Sequence, residues 1–154
     1  AAHPFEIAYF DRGPNNGERL IGGGTWSAYW YNGNIYSSEM VRGLDVLELT
    51  PSKFMTQNEI DAAKQVRVAE LNVQNQQRIV WPRSLTTAKA YVDQLERSNA
   101  LSTDQVTAIR AAIDKGDQKD LKKQAKSLKK VAGKDANDQY RLKELSAILE
   151  KPAK

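Results

Sequence analysis

The chain's single histidine, His3, and its lack of cysteine set the first limit on chemistry. A Ser-His-Asp triad has no placed base, because His3 sits at the start of the chain. Without cysteine there is neither a disulfide nor a thiolate metal site. No nucleophile elbow and no zinc-binding helix motif occurs. The carboxylate pairs Asp11/Glu18 and Glu39/Asp45 are the right types for acid–base work. Two carboxylates cooperate only when held about 5–10 Å apart, and nothing in the spacing does that, so solvated loop carboxylates are expected. Asp11, Asn15, Asn16 and Glu18 offer oxygens suited to calcium, but not at the spacing of a twelve-residue calcium loop. Turn formation is the expected role. Gly22-Gly23-Gly24 lacks a following Gly-Lys-Ser/Thr and leads into a strand, so it cannot set a phosphate on a helix N-terminus. A flexible connection is expected there. The sequence thus predicts no catalytic residue, no metal site and no cofactor.

Three features bear on binding instead. The aromatic residues of the first fifty positions could stack on sugars or bases, although sheet core is the commoner use. Trp26, Tyr29, Trp30 and Arg42, near the sheet's loops, are the expected contact residues if that surface binds. Lys115, Lys119, Lys122, Lys123, Lys126, Lys129, Lys130 and Lys134 could meet phosphate or another anionic partner, with Lys122, Lys126 and Lys129 as candidate contacts. Aromatic interleaving is absent and Asp114, Asp117 and Asp120 dilute the run, so a solvated helix face is expected and nucleic acid is not the expected partner. Trp81-Pro82 is read as a residue pinning a crossing segment.

The elements that must position these residues divide into two compositions. Up to position 50, three arginines oppose six carboxylates, a balance of −3. The whole chain carries +4, so the remainder, dominated by lysine, carries about +7. Most aromatics also lie before Pro51. Phe5–Phe10 reads as a short strand bounded by Pro4 and the Asp11-Arg12-Gly13-Pro14 turn. Trp26–Tyr31, the hairpin signal Asn32-Gly33, Asn34–Met40, the Arg42-Gly43 turn and Leu44–Leu49 read as an antiparallel meander. Trp26, Ala28 and Trp30 fall on one face, and Ser27, Tyr29 and Tyr31 on the other. Both faces are aromatic or small, which predicts that both are covered.

Beyond Pro51, Thr56-Gln57-Asn58-Glu59 is a capping box opening a helix to about Leu71. Ile79-Val80-Trp81 before Pro82 is extended. A helix over 85–98 carries the stripe Leu85, Ala88, Tyr91, Val92, Leu95. Ser102-Thr103-Asp104-Gln105 opens a third helix, closed by Gly116. Asp117 caps a fourth with Leu121, Ala125, Leu128 and Val131 or Ala132 inward, closed by Gly133. Asp135 opens the last, with Tyr140, Leu145, Ile148 and Leu149 inward. Short connections predict a small up-down bundle. The fold class is α+β, an N-terminal antiparallel β-meander followed by a C-terminal α-helical bundle, divided as 1–50, a helix and extended linker over 51–83, and the bundle over 84–154. No run reaches the roughly 18–20 apolar residues of a membrane span. Ala1-Ala2-His3-Pro4 reads as a mature or excised N-terminus.

The strings Pro4–Asp11, Asn34-Ile35-Tyr36-Ser37-Ser38-Glu39 and Arg42-Gly43-Leu44-Asp45-Val46-Leu47 resemble the last blade of bacterial β-propellers built from LVIVD repeats. The stretches around Leu49–Ser52, Asn58-Glu59-Ile60, Val80-Trp81-Pro82 and Leu95–Ser98 resemble the helical tail of some of these propellers. The likeness spans most of the chain and is looser after Gly116. It implies that 5–10 is the outer strand of one blade and 25–49 the inner three strands of the next, with neighbouring blades covering both faces. A propeller needs about 4–8 blades, and this chain holds almost none of them. The resemblance further implies a secreted or cell-surface, non-enzymatic binding or scaffold module whose partner is the rest of a propeller or another protein. The alternatives are a fragment of a propeller enzyme with its active site in other blades, or a lysine-rich helical binder of anionic polymers or surfaces.

Overall fold

The computed structural model describes residues 6–75 and 78–152. The chain divides into two compact units, Ala1–Ile79 and Val80–Lys154.

The first unit holds three strands, β1 (Thr25–Tyr31), β2 (Asn34–Glu39) and β3 (Gly43–Leu47), and one helix, α1 (Gln57–Lys64). The strands form an antiparallel meander in the order β1-β2-β3. Asn32 and Gly33 turn the β1–β2 hairpin with φ of 48° and 100°, the pair of positive values that a type I′ turn requires. Register places Ala28, Ser37 and Asp45 in one row and Trp30, Ile35 and Leu47 in another on the same face. The opposite face carries the rows Ser27–Ser38–Leu44 and Tyr29–Tyr36–Val46. The register shifts between Thr25 and Ser27, so Trp26 stands in a bulge instead of continuing the Ala28–Trp30 alternation.

Three expected elements end differently. Residues 6–10 form no strand, and Phe5 lies outside the described residues. An isolated strand has no ladder to join, and Tyr9 and Phe10 are correspondingly exposed, at 86% and 57%. The first helix stops at Lys64, not near Leu71. The following residues give their backbone groups to the hairpin tip instead. The Asn32 side chain accepts from Val68 N (2.8 Å) and donates to Val68 O (2.9 Å), and the Tyr31 hydroxyl donates to Ala69 O (3.1 Å). The Arg67 guanidinium also donates to Asn32 O. β2 ends at Glu39, whose carboxylate takes the Val41 and Arg42 amides and closes the turn.

The second unit is four helices, α2 (Leu85–Arg97), α3 (Thr103–Lys115), α4 (Gln118–Leu128) and α5 (Ala136–Glu150). Each opens on a side-chain cap, from Ser84, Ser102, Asp117 and Asp135 respectively. Cross-links fix the helix directions. Lys89 pairs with Asp114 and Arg110 with Glu96, so α2 and α3 run oppositely. Gln118 bonds Glu150 O and Ser146 bonds Ala125 O, so α4 and α5 do too. Arg83 meets Glu144 while Lys134 reaches Ser98 O, returning α5 against α2. One apolar cluster runs through all four helices, including Val92, Leu95, Ile109, Leu121, Ala125, Leu145 and Leu149.

Two expectations shift within this bundle. α4 stops at Leu128, where Lys130 N and Val131 N bond three residues back and tighten the last turn, so Gly133 is not its cap. Tyr140 is not inward. It is 48% exposed and meets the Tyr91 ring edge-on at 6.5 Å, while Leu142 and the carboxylate of Asp138 take the buried positions.

Candidate functional site

In the sheet the buried residues are polar. Among the described strand residues only Ser37 and Glu39 are buried. Among the described residues no strand contributes a fully buried apolar side chain, and the first unit's buried apolar residues are Ile60 and Ala62 of α1. Tyr29, Leu44 and Val46, which share one face, are 44%, 66% and 56% exposed. Trp26 is 79% exposed, and Met40 and Val41 at the β2–β3 turn are exposed as well. An apolar face of this kind left in water is the usual mark of a contact surface. The expectation that both faces are covered is not met within the described residues of this unit.

The carboxylates named as acid–base candidates are both engaged. Glu39 Oε1 accepts from Gly24 N (2.6 Å), and Oε2 accepts from Val41 N (3.0 Å) and Arg42 N. The Gly24 bond chiefly holds the carboxyl below the usual carboxylate range; burial opposes this, and the Arg42 and Val41 amides and the Asn15 side chain reinforce it. Asp45 is paired with Arg12 at 2.9 Å. Neither carboxylate is thereby left as a free base. The calcium-like string is turn chemistry: Asp11 Oδ1 accepts from Gly13 N at 2.7 Å, and Asn16 Oδ1 from Glu18 N and Arg19 N. Gly24, expected as flexible connection, instead supplies the amide that Glu39 takes, and a Cβ on Gly23 would fall 2.0 Å from the Asn15 side chain. Glu39 is therefore the clamp of the 11–24 loop and the β2–β3 turn, a role that sequence spacing alone did not disclose.

This clamp depends on ionisation. The Glu39 pKa is lower in the folded chain than in the unfolded one, so its stabilisation is present above the unfolded carboxylate value and lost as pH falls through the lowered folded value. Acid titration of the wild type is expected to loosen the loop, seen as a change in tryptophan emission from the neighbouring Trp26. Glu39→Gln should abolish this acid transition and start from the loosened state at neutral pH. An unchanged transition in the variant would assign the effect elsewhere.

The four expected contact residues do not converge. Trp26 and Arg42 lie toward the β2–β3 turn end, whereas Trp30 sits toward the hairpin end, paired with Ile35, on the face opposite Tyr29. The Arg42 guanidinium is occupied by Gly13 O (3.3 Å) and Pro14 O (2.8 Å). Of the lysine candidates, Lys122 and Lys126 are exposed on α4, and Lys129 is paired with Glu150 at 2.5 Å. A groove of about 370 Å³ between α4 and α5 has Leu128, Val131, Leu142 and Ala147 in its wall. Among the described residues no three His, Cys, Asp or Glu side chains gather as metal ligands, and no helix is long and apolar enough to cross a membrane. No family model matches the chain, and neither a curated protein nor a solved structure does.

Proposed function

We propose that the chain is a non-enzymatic binding or scaffold module, the C-terminal end of an extracytoplasmic LVIVD-type β-propeller, in which the meander completes a ring of blades and the helices form a cap. The observation that carries this reading is the exposed apolar face of Tyr29, Leu44 and Val46 on a sheet whose buried strand residues are a serine and a glutamate. Such a sheet has no core of its own in the described residues, whereas a propeller blade draws its core from the blades on either side. Exposed Tyr9 and Phe10, on a segment without a ladder, fit the same picture of strand partners supplied from outside. The extracytoplasmic location rests on the sequence resemblance alone.

The test is sedimentation velocity and hydrophobic-dye binding on the purified chain, beside a Leu44→Lys, Val46→Lys variant. The wild type is expected to self-associate and bind dye, and the variant to do neither while keeping its helical circular dichroism. A monodisperse wild type that binds no dye would sink the proposal. The structure of the complete gene product gives a second reading: further four-stranded blades stacked on this face support it, and a three-stranded sheet with solvent on that face rejects it.

A further inference from the structure

Lys119, Lys122, Lys123 and Lys126 recur on α4 at i, i+3, i+4 and i+7, which places them on one face of the helix. Lys130 follows just past the C-cap. Leu121, Ala125 and Leu128 occupy the opposite face and are buried in the bundle. All five lysines are exposed. The carboxylates around this ridge are tied elsewhere: Asp114 to Lys89, Asp120 to Lys115 at 2.6 Å and Glu150 to Lys129 at 2.5 Å, while Asp117 accepts the Lys119 and Asp120 amides as helix cap. Lys122, Lys126 and Lys130 have no ion-pair partner among the described residues. The result is a row of ammonium groups about 16 Å long, beside which Asp114, Asp120 and Glu150 form their ion pairs with lysines outside the row.

The chemistry of the row says what it fits. It contains no arginine, so it lacks the planar fork that reads single phosphates bidentately. Residues 118–130 expose no large apolar or aromatic side chain, so the row can neither stack on bases nor insert among acyl chains. What remains is charge, and affinity would come from counterion release. A broad anionic leaflet would also meet the carboxylates Asp117 and Asp120 beside the row, whereas a single line of charge matches the row alone. We infer that the exposed face of α4 is a docking ridge for a flexible linear polyphosphate chain, whose phosphate oxygens suit a row of ammonium point charges. This inference is independent of the propeller reading, because it rests only on the helical unit.

The test is binding of the full chain to long-chain polyphosphate and to heparin, followed by fluorescence anisotropy over a salt series. Heparin is the comparison, and tighter binding to heparin than to polyphosphate at equal charge would overturn the assignment. With five contacts, affinity is expected to fall about 100-fold between about 50 and 200 mM salt. The triple variant Lys122→Gln, Lys123→Gln, Lys126→Gln should lower the log–log salt slope by about 2 with helix content unchanged. Arg19→Gln, Lys53→Gln, Lys151→Gln, with the same loss of charge off the ridge, should keep the wild-type slope. Equal losses in the two triples, or no loss in the first, would overturn the inference. So would tighter binding to a single-stranded oligonucleotide of matched charge, or binding to vesicles of phosphatidylcholine and phosphatidylglycerol without binding to either polymer.

Discussion

Leu145→Ala is expected to destabilise the helical unit by about 3–4 kcal/mol. Leu145 is fully buried in the cluster shared by all four helices, so truncation removes its transfer free energy and leaves a cavity. Its surroundings resist collapse. α5 is held to α4 through Ser146 and Ala125 O, and to the end of α2 through Lys134 and Ser98 O. A unit of this size is stable by about 4–11 kcal/mol, so the loss takes a large share of the total. The helical melting transition should fall by about 15–25 °C, read at 222 nm. Tyr140→Ala is the internal comparison. Tyr140 is half exposed and loses chiefly its edge contact with Tyr91, worth about 0.5–1.5 kcal/mol. A shift for Leu145→Ala no larger than that for Tyr140→Ala would mean that the cluster does not hold the unit together. The same substitution has no counterpart in the sheet, where no strand side chain is both apolar and fully buried. That contrast separates a unit whose apolar residues share one buried cluster from one whose apolar strand residues stay exposed among the described residues.

How much of this could be read from the residues depends on whether the determining interactions are local. Caps and short turns act within four residues, and there the expectations hold except at Gly133: Thr56 and Ser102 open their helices through capping boxes, and Asn32-Gly33 turns the hairpin. The stripe Leu121, Ala125, Leu128 is buried as its helical period requires. Several of the misses are interactions between positions far apart in sequence. The first helix is cut short by hydrogen bonds from Asn32 to Val68, a partner 36 residues away, and no periodicity carries that information. Glu39 looked like a possible acid–base group because its type was visible and its three amide partners were not. Lys129 looked like part of the anionic-partner set until Glu150, 21 residues on, took its charge. The buried carboxylate of Asp138, which the Arg141 side chain meets at 3.2 Å, had a local signal in its position three residues after the Asp135 cap, but nothing in the spacing marks it as buried. The aromatic pattern of the strands predicted that both faces are covered, yet Tyr29, Leu44 and Val46 stay exposed.

Gly133→Ala is expected to cost about 2–3 kcal/mol, and Gly116→Ala only about 1 kcal/mol, although the two glycines look alike in sequence. Both follow a lysine-bearing helix and precede an aspartate cap by one or two residues. Gly116 is a left-handed helix end, with φ of 68° and nothing within 4 Å of an added Cβ, so a side chain there meets only backbone strain. Gly133 has no such φ. A Cβ on it would lie 2.6 Å from Gln139 N and 2.9 Å from the Asp138 carbonyl carbon, both main-chain atoms of α5's first turn. Backbone cannot swing away as a flexible side chain can, so α5 would have to shift off its Asp135 cap, whose carboxylate holds Asp138 N at 2.7 Å. The substitutions therefore separate in kind as well as in size. Gly116→Asn should recover most of the loss, because asparagine tolerates the left-handed region, whereas at Gly133 every larger residue should be worse than alanine. Thermal melts of the four variants decide it. Equal penalties for the two alanines, with asparagine rescuing both, would make Gly133 a conformational glycine after all and remove the close approach of the α4–α5 connection to α5.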